Sequence, residues 1–217
     1  MEGWIARWYA RTRGADLESF RREATEVADQ LPRGAHVLEV APGPGFFSIE
    51  LARLGDFRIT GLDISQAFVE IARDGARRAG VSVDFRSGNA SAMPLAGESF
   101  DFVYCSAAFK NFAEPIEALD EMHRVLRPGG RAVIHDLRKD VSLAEIDTYI
   151  ARSGRKRFDA WLTRWAFRTM LVKRAYTLDA LRDLVRHTRF GACQIATDEL
   201  SFRATFLKPA AVAALAG

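Results

Sequence analysis

A chain of 217 residues, 48% apolar and 27% charged with a net charge of +3, has the composition of one ordinary globular domain with a substantial core. No eighteen-residue apolar run is present to span a bilayer, and an opening with Glu2 and Arg7 in its apolar stretch does not read as a signal peptide, so the expected location is cytoplasmic. The two cysteines, Cys105 and Cys193, stand far apart among apolar neighbours, which fits core positions better than a disulfide; no metal site is read.

Taken in order, short β-rich apolar runs at 36–41, 57–62, 81–85, 100–105 and 131–136 alternate with helical stretches at 46–54, 67–79 and 115–126. Near-continuous apolar strands separated by helices predict an α/β fold, a doubly wound and mostly parallel sheet covered on both faces. Ser142-Leu143-Ala144-Glu145 has the capping-box spacing and predicts a further helix start. Another helix is expected at 177–187. Strands at 192–197 and 200–207, separated only by Asp198 and Glu199, predict an antiparallel hairpin that closes the sheet. The whole chain, 1–217, reads as one domain, with an N-terminal helical flap (1–30) and a helical lid insertion (138–176).

The most informative stretch is Val37-Leu38-Glu39-Val40-Ala41-Pro42-Gly43-Pro44-Gly45, followed after the next strand by Asp63. A buried strand, a glycine turn, a helix start and an acid ending the following strand make room for an adenosine-bearing cofactor. Gly43 and Gly45 are expected to let the backbone approach that ligand, and Asp63 to accept hydrogen bonds from two ribose hydroxyls. A dinucleotide site also wants a third small residue three positions after the second glycine; that position is Ser48, so the dinucleotide pattern is at best a near miss.

Gly88-Asn89-Ala90 after the third strand, Ser99-Phe100-Asp101-Phe102-Val103 in the fourth and Leu126-Arg127-Pro128-Gly129-Gly130 before the fifth complete a pattern with the Glu39 segment. Together they resemble the class I S-adenosylmethionine-dependent methyltransferases, and within them the small-molecule branch that includes ubiquinone and menaquinone biosynthesis methyltransferases. The resemblance covers residues 37–137. It implies a seven-stranded sheet, S-adenosylmethionine as cofactor and methyl transfer to an oxygen, nitrogen or carbon nucleophile of a small aromatic or amphipathic acceptor. It further implies that Glu39, Ala41, Gly43 and Gly45 line the methionine end of the cofactor. Asp63 would hold the ribose, Ile64 pack on the adenine, Asn89 and Ala90 read its edge, and Ser106 face the sulfonium region. Three departures from the pattern are Ala41 in place of the first glycine, Pro42, and Asn89 in place of an aspartate. Ala41 is a mild change provided that its φ is negative.

Catalytic side chains are expected at the carboxyl ends of the strands. His135 is the candidate general base, because an imidazole titrates near neutrality; the alternative is a histidine held structurally at a strand end. Asp136 should point to the opposite face from His135. Lys110 either neutralises an anionic acceptor or is solvated on a loop. His123 and His187 are read as surface residues.

Residues 138–176 hold ten basic side chains against four acidic ones. Within this span the 155–174 stretch sets Phe158, Trp161, Leu162 and Trp165 on one side and arginines on others. A helix packed on the domain, a lid over the acceptor and contact with a membrane surface all suit that pattern. Trp4, Ile5, Trp8 and Tyr9 would form a second flap. Nucleic acid is disfavoured as a partner: strand four leads into Cys105-Ser106-Ala107-Ala108, unlike the family members that methylate base amino groups. Two rival functions stand beside methyl transfer. One is a cofactor-binding scaffold without catalysis; the other is a nicotinamide-dependent oxidoreductase, which leaves the later motifs unexplained. Oligomeric state is not legible.

Overall fold

Val37, Leu38, Glu39 and Val40 of strand β1 (His36–Val40) are all buried, as expected of a central strand covered on both sides. The structure is a computed structural model that describes residues 17–152 and 174–210. After helix α1 (Leu17–Ala28) and β1 come α2 (Phe46–Leu54), β2 (Arg58–Asp63), α3 (Gln66–Ala79), β3 (Asp84–Ser87) and β4 (Phe100–Ser106). A 3-10 turn (Phe109–Asn111), α4 (Pro115–Val125), β5 (Leu126–Leu137), α5 (Leu143–Arg152), α6 (Leu178–Arg186), β6 (Gln194–Thr197) and β7 (Ser201–Leu207) follow. The seven strands form one sheet in the order β3-β2-β1-β4-β5-β7-β6. All pairs are parallel except β5 with β7 and β6 with β7. The antiparallel hairpin expected at the end is therefore present.

Strand periodicity sorts the core into two layers. Val37, Phe102, Tyr104 and Val133 pack with Ala24 and Val27 of α1 and Phe47 and Leu51 of α2. Leu38, Val40, Val103, Cys105 and Ile134 face the other way, onto Leu119 and Met122 of α4 and Leu181 and Val185 of α6. Connections run outward in opposite directions from β1 and β4, which leaves the crevice for a ligand at their carboxyl ends.

Two of the motifs lie at the other end of the sheet. Asp101 accepts from the backbone N–H of His36 at 2.8 Å and from the Arg127 guanidinium at 2.7 Å, tying the starts of β1, β4 and β5. These bonds outweigh burial and bring the Asp101 carboxyl below its ordinary range. The Leu126-Arg127-Pro128-Gly129-Gly130 motif, expected before the fifth strand, lies inside it: α4 ends at Val125, and the motif forms an irregularity in β5 where Phe100 pairs with Leu126, then Phe102 with Arg131. Gly129 supplies a φ of 82° there. Likewise β3 begins at Asp84 rather than at residue 81, because its pairing with β2 starts at Thr60↔Asp84.

The capping box forms: Ser142 Oγ accepts from Glu145 N–H at 3.2 Å, and Glu145 accepts from Ser142 N–H at 2.7 Å. Thr177 caps α6 by the first of these bonds alone, its Oγ1 accepting from Ala180 N–H. Among the described residues no helix is long and apolar enough to cross a membrane. The aromatic and basic positions expected at 158–165, and the flap residues Trp4 to Tyr9, lie outside the described residues.

Candidate cofactor site

At the carboxyl end of β1, Glu39 faces the α1–α2 layer with 5% of its surface exposed. Its carboxylate accepts from Ser48 Oγ at 2.5 Å and from Ser48 N–H at 3.2 Å. Burial pushes the Glu39 carboxyl up to about 7 despite these bonds, and the nearby carboxylates of Glu23 and Asp63 add to the shift. A buried carboxylate among acids is a place for a cation. Ser48, which sequence reading treats as an awkward third position, is the residue that holds Glu39 in place. A lone serine among Phe46, Phe47, Ile49 and Leu51 was the available signal.

The turn after β1 is left-handed at Ala41, Gly43 and Gly45, with φ of 56°, 54° and 77°. The condition on which Ala41 was a mild change therefore fails: its φ is positive, in a region that costs a Cβ-bearing residue about 1–2 kcal/mol. The two glycines serve different ends. A Cβ on Gly43 would meet nothing within 4 Å, so this glycine borders open space. A Cβ on Gly45 would come 2.5 Å from the Phe85 ring and 2.9 Å from Ala72, so Gly45 is needed for packing α2 against β3 and α3 rather than for ligand approach.

Asp63 ends β2 and is 6% exposed. Its Oδ2 accepts from Gly43 N–H at 2.9 Å and its Oδ1 from Ser65 N–H at 2.8 Å, so one carboxylate joins the glycine turn to the start of α3. Ile64 beside it is 71% exposed, an apolar side chain presented outward at the rim. Asn89 is exposed and Ala90 half-buried after β3. Asn89 Oδ1 accepts from Ser91 N–H at 3.1 Å, which fixes its loop. A side-chain oxygen has a second lone pair for another donor. Glu39, Gly43, Asp63 and Ile64 thus share one edge of the sheet, with Asn89 and Ala90 following the neighbouring strand β3. This arrangement fits S-adenosylmethionine: carboxylate for a cationic amino-acid end, a backbone turn bordering open space, and an acid for hydroxyls.

Ser106, half-buried, closes β4 opposite His135 of β5. The two β5 neighbours do point to opposite faces. Asp136 accepts from the Lys110 ammonium at 2.6 Å and from Lys110 N–H at 3.0 Å. That ammonium also donates to Ala107 O at 2.7 Å, and its side chain is only 7% exposed. Lys110 is neither solvated nor turned toward an acceptor: it pins the turn after β4 to β5.

His135 enters a polar group that sequence reading did not foresee. Its Nε2 lies 2.8 Å from Ser201 Oγ, and its Nδ1 is 3.6 Å from Glu23 Oε1 of α1. Glu23 Oε2 accepts from the fully buried Tyr104 hydroxyl at 2.9 Å. Burial raises the Glu23 carboxyl, but His135, Tyr104 and Arg203 together hold it below its ordinary value. Glu23 and Tyr104 are 81 residues apart, and no local pattern links them. His187 is exposed, as expected, whereas His123 is half-buried with its ring edge-on to Phe190, centroids 5.0 Å apart.

Residues 38–134 match the profile of the family described as "Methyltransferase domain". A demethylmenaquinone methyltransferase of Deinococcus radiodurans is 40% identical over 122 residues, covering 56% of this chain and 50% of the relative. An O-methyltransferase of Penicillium expansum is 36% identical over 134 residues, 56% of this chain and 49% of the relative. The chain therefore spans about half the length of these relatives. Among solved structures, a SAM-dependent methyltransferase from Aquifex aeolicus superposes with a TM-score of 0.64 at 16% identity, over 85% of this chain and 89% of that one, which shows the shared fold. Sheet order, turn geometry and sequence likeness agree: residues 38–134, a little under half of the chain, resemble the methyltransferase-domain family in sequence and share its fold.

Proposed function

We propose that this chain transfers the methyl group of S-adenosylmethionine to an oxygen, nitrogen or carbon nucleophile of a small aromatic or amphipathic acceptor. The observation that carries the reading is the buried Glu39 carboxylate beside the Gly43 turn, with Asp63 on the next strand. When bound, the cofactor supplies a sulfonium methyl, an electrophile that needs alignment more than activation. Glu39 would meet its cationic amino-acid end, and Asp63 its ribose hydroxyls. Ile64, Asn89 and Ala90 would line the adenine, and Ser106 the reacting end. Positioning of this kind contributes up to about 7–11 kcal/mol to lowering a barrier.

An acceptor hydroxyl must also lose a proton, and His135 is the residue assigned to take it. A carbon acceptor of the quinol type places less demand on a base. The relatives named above include a menaquinone-pathway enzyme and an O-methyltransferase, which supports screening both kinds. Lys110 acts in this reading by holding the turn after β4, not by touching the acceptor. Cys105 and Cys193 are free thiols, in keeping with a cytoplasmic setting.

A second reading is cofactor binding without transfer, favoured by one fact: both basic side chains near the strand ends, Lys110 and His135, face carboxylates of the protein. Calorimetric titration with S-adenosylmethionine and, separately, NADH is the first test. Binding of the sulfonium cofactor followed by methylation of a phenol or quinol supports the proposal. Binding without turnover across such a panel favours the scaffold, and binding of NADH alone sinks both.

A further inference from the structure

The β6–β7 turn decides which nitrogen of His135 is basic. Asp198 Oδ1 accepts from the backbone N–H groups of Leu200 and Ser201 at 3.0 and 2.7 Å, and Oδ2 accepts from Ser201 Oγ at 2.6 Å. Burial raises the Asp198 carboxyl, but these bonds bring it below its ordinary value, so it is an ionised, acceptor-only group. Ser201 has one hydroxyl hydrogen, and an ionised Asp198 requires it. Toward His135, 2.8 Å away, Ser201 can then only accept. The proton between them must belong to Nε2.

With Nε2 carrying the hydrogen, the neutral ring exposes a lone pair at Nδ1. Among the described residues that atom is buried and has no hydrogen-bond partner, and Glu23 Oε1 lies 3.6 Å from it. A lone pair facing a carboxylate is an unfavourable arrangement that uptake of a proton converts into an ion pair, and it is in that protonated form that His135 lowers the Glu23 carboxyl. The charged neighbours of the ring are Glu23 of α1 and Asp198 of the turn; Tyr104 of β4 bonds Glu23, and Arg203 of β7, opposite His135 in register, pairs with Glu26 at 3.0 Å.

We propose that Ser201 and Asp198 are positioning residues that hold His135 as the Nε2–H tautomer, leaving Nδ1, opposite Glu23, as the nitrogen that takes up a proton. The inference rests on the methyl-transfer reading for its chemical use. In that use an acceptor O–H bond breaks, its oxygen forms the bond to the methyl carbon, and the S–C electron pair returns to sulfur. The proton ends on Nδ1. One positive charge leaves sulfur and one appears on the ring, between Glu23 and the Ser201–Asp198 pair, so charge is conserved within the site.

The tautomer is read directly by long-range proton–nitrogen correlation spectra of the isotope-labelled protein, free of cofactor and acceptor, at a pH above the imidazole range. His135→Gln identifies the resonances among the four histidines. The expected result is a protonated Nε2 and an unprotonated Nδ1 in the native chain. Ser201→Ala should yield a mixture or the opposite tautomer, and Ser201→Thr, which retains the hydroxyl, should restore the native pattern. A native ring protonated at Nδ1, or an unaltered ring in Ser201→Ala, overturns the proposal. Should Ser201→Ala fail to fold, the native spectrum and Ser201→Thr decide the matter alone. Neither cofactor nor acceptor is present in this measurement, so its failure is distinct from a failure to transfer methyl groups.

Discussion

The N–H of Gly43 donates to Oδ2 of Asp63 at 2.9 Å, so the acid that ends β2 also organises the glycine turn that follows β1. Its other oxygen anchors the start of α3 through Ser65 N–H. One side chain therefore couples the shape of the turn to the place where ribose hydroxyls are expected.

Asp63→Ala should lose on both counts. The buried Ser65 amide and the half-buried Gly43 amide are left without their acceptor, a cost of about 1–3 kcal/mol in unfolding free energy, and cofactor affinity should fall by about tenfold or more. Asp63→Asn, which keeps one oxygen, should lie between. Urea unfolding and calorimetry measure the two effects, and an unchanged unfolding midpoint in Asp63→Ala would remove the coupling.

The two glycines of the turn should respond differently to alanine. Gly43→Ala incurs the left-handed backbone cost of about 1–2 kcal/mol but no collision, and its methyl group enters the open space assigned to the ligand. Its signature is weakened cofactor binding with a modest loss of stability. Gly45→Ala adds overpacking against Phe85 and Ala72, about 1–3 kcal/mol more. Equal losses of stability in the two variants would refute the distinction.

Glu39 sets a pH dependence. Its carboxyl lies near 7 in the folded chain against an ordinary 4.5. A raised pKa means that its contribution to stability is full below about 4.5 and is lost as pH rises to about 7, in total about 3 kcal/mol. Glu39→Gln should flatten that slope and raise the melting temperature at neutral pH. Binding of a cationic ligand requires the proton to leave, so affinity for S-adenosylmethionine should rise by up to about tenfold per pH unit below 7 and then level. The same variant should lose this rise. Identical pH profiles for native and Glu39→Gln protein would refute the assignment.

Lys110 and Asp136 form a buried ion pair, 7% and 1% exposed at the side chains. Removing one partner by Lys110→Met should destabilise the fold by about 3–5 kcal/mol, because an uncompensated charge remains. The double change Lys110→Met with Asp136→Asn should recover part of that loss. A double variant as unstable as the sum of the single ones would show that the two side chains act independently.

Local chemistry made much of this protein legible. Near-continuous apolar runs along 36–40 and 100–106 and capping residues such as Ser142 and Thr177 act over a few residues, and those elements form where the sequence places them. The Glu39–Gly43–Asp63 sequence located the site because a strand end, a turn and the next strand end are brought together by one βαβ crossover. Even so, the sequence did not distinguish Gly45 from Gly43, since the Phe85 ring and the Ala72 methyl that confront Gly45 come from β3 and α3.

Only the tertiary structure decided the rest. That Ala41 is left-handed, that Lys110 is consumed by Asp136 and that Ser48 supports Glu39 depend on neighbours brought in from other elements. The surroundings of His135 are the clearest case: Glu23 and Ser201 reach it from α1 and β7, and Tyr104 of β4 bonds Glu23 in turn. Periodicity fixes which face of a strand a side chain occupies. Its hydrogen-bond partners, and hence its charge and tautomer, are set by whatever the fold lays across that face.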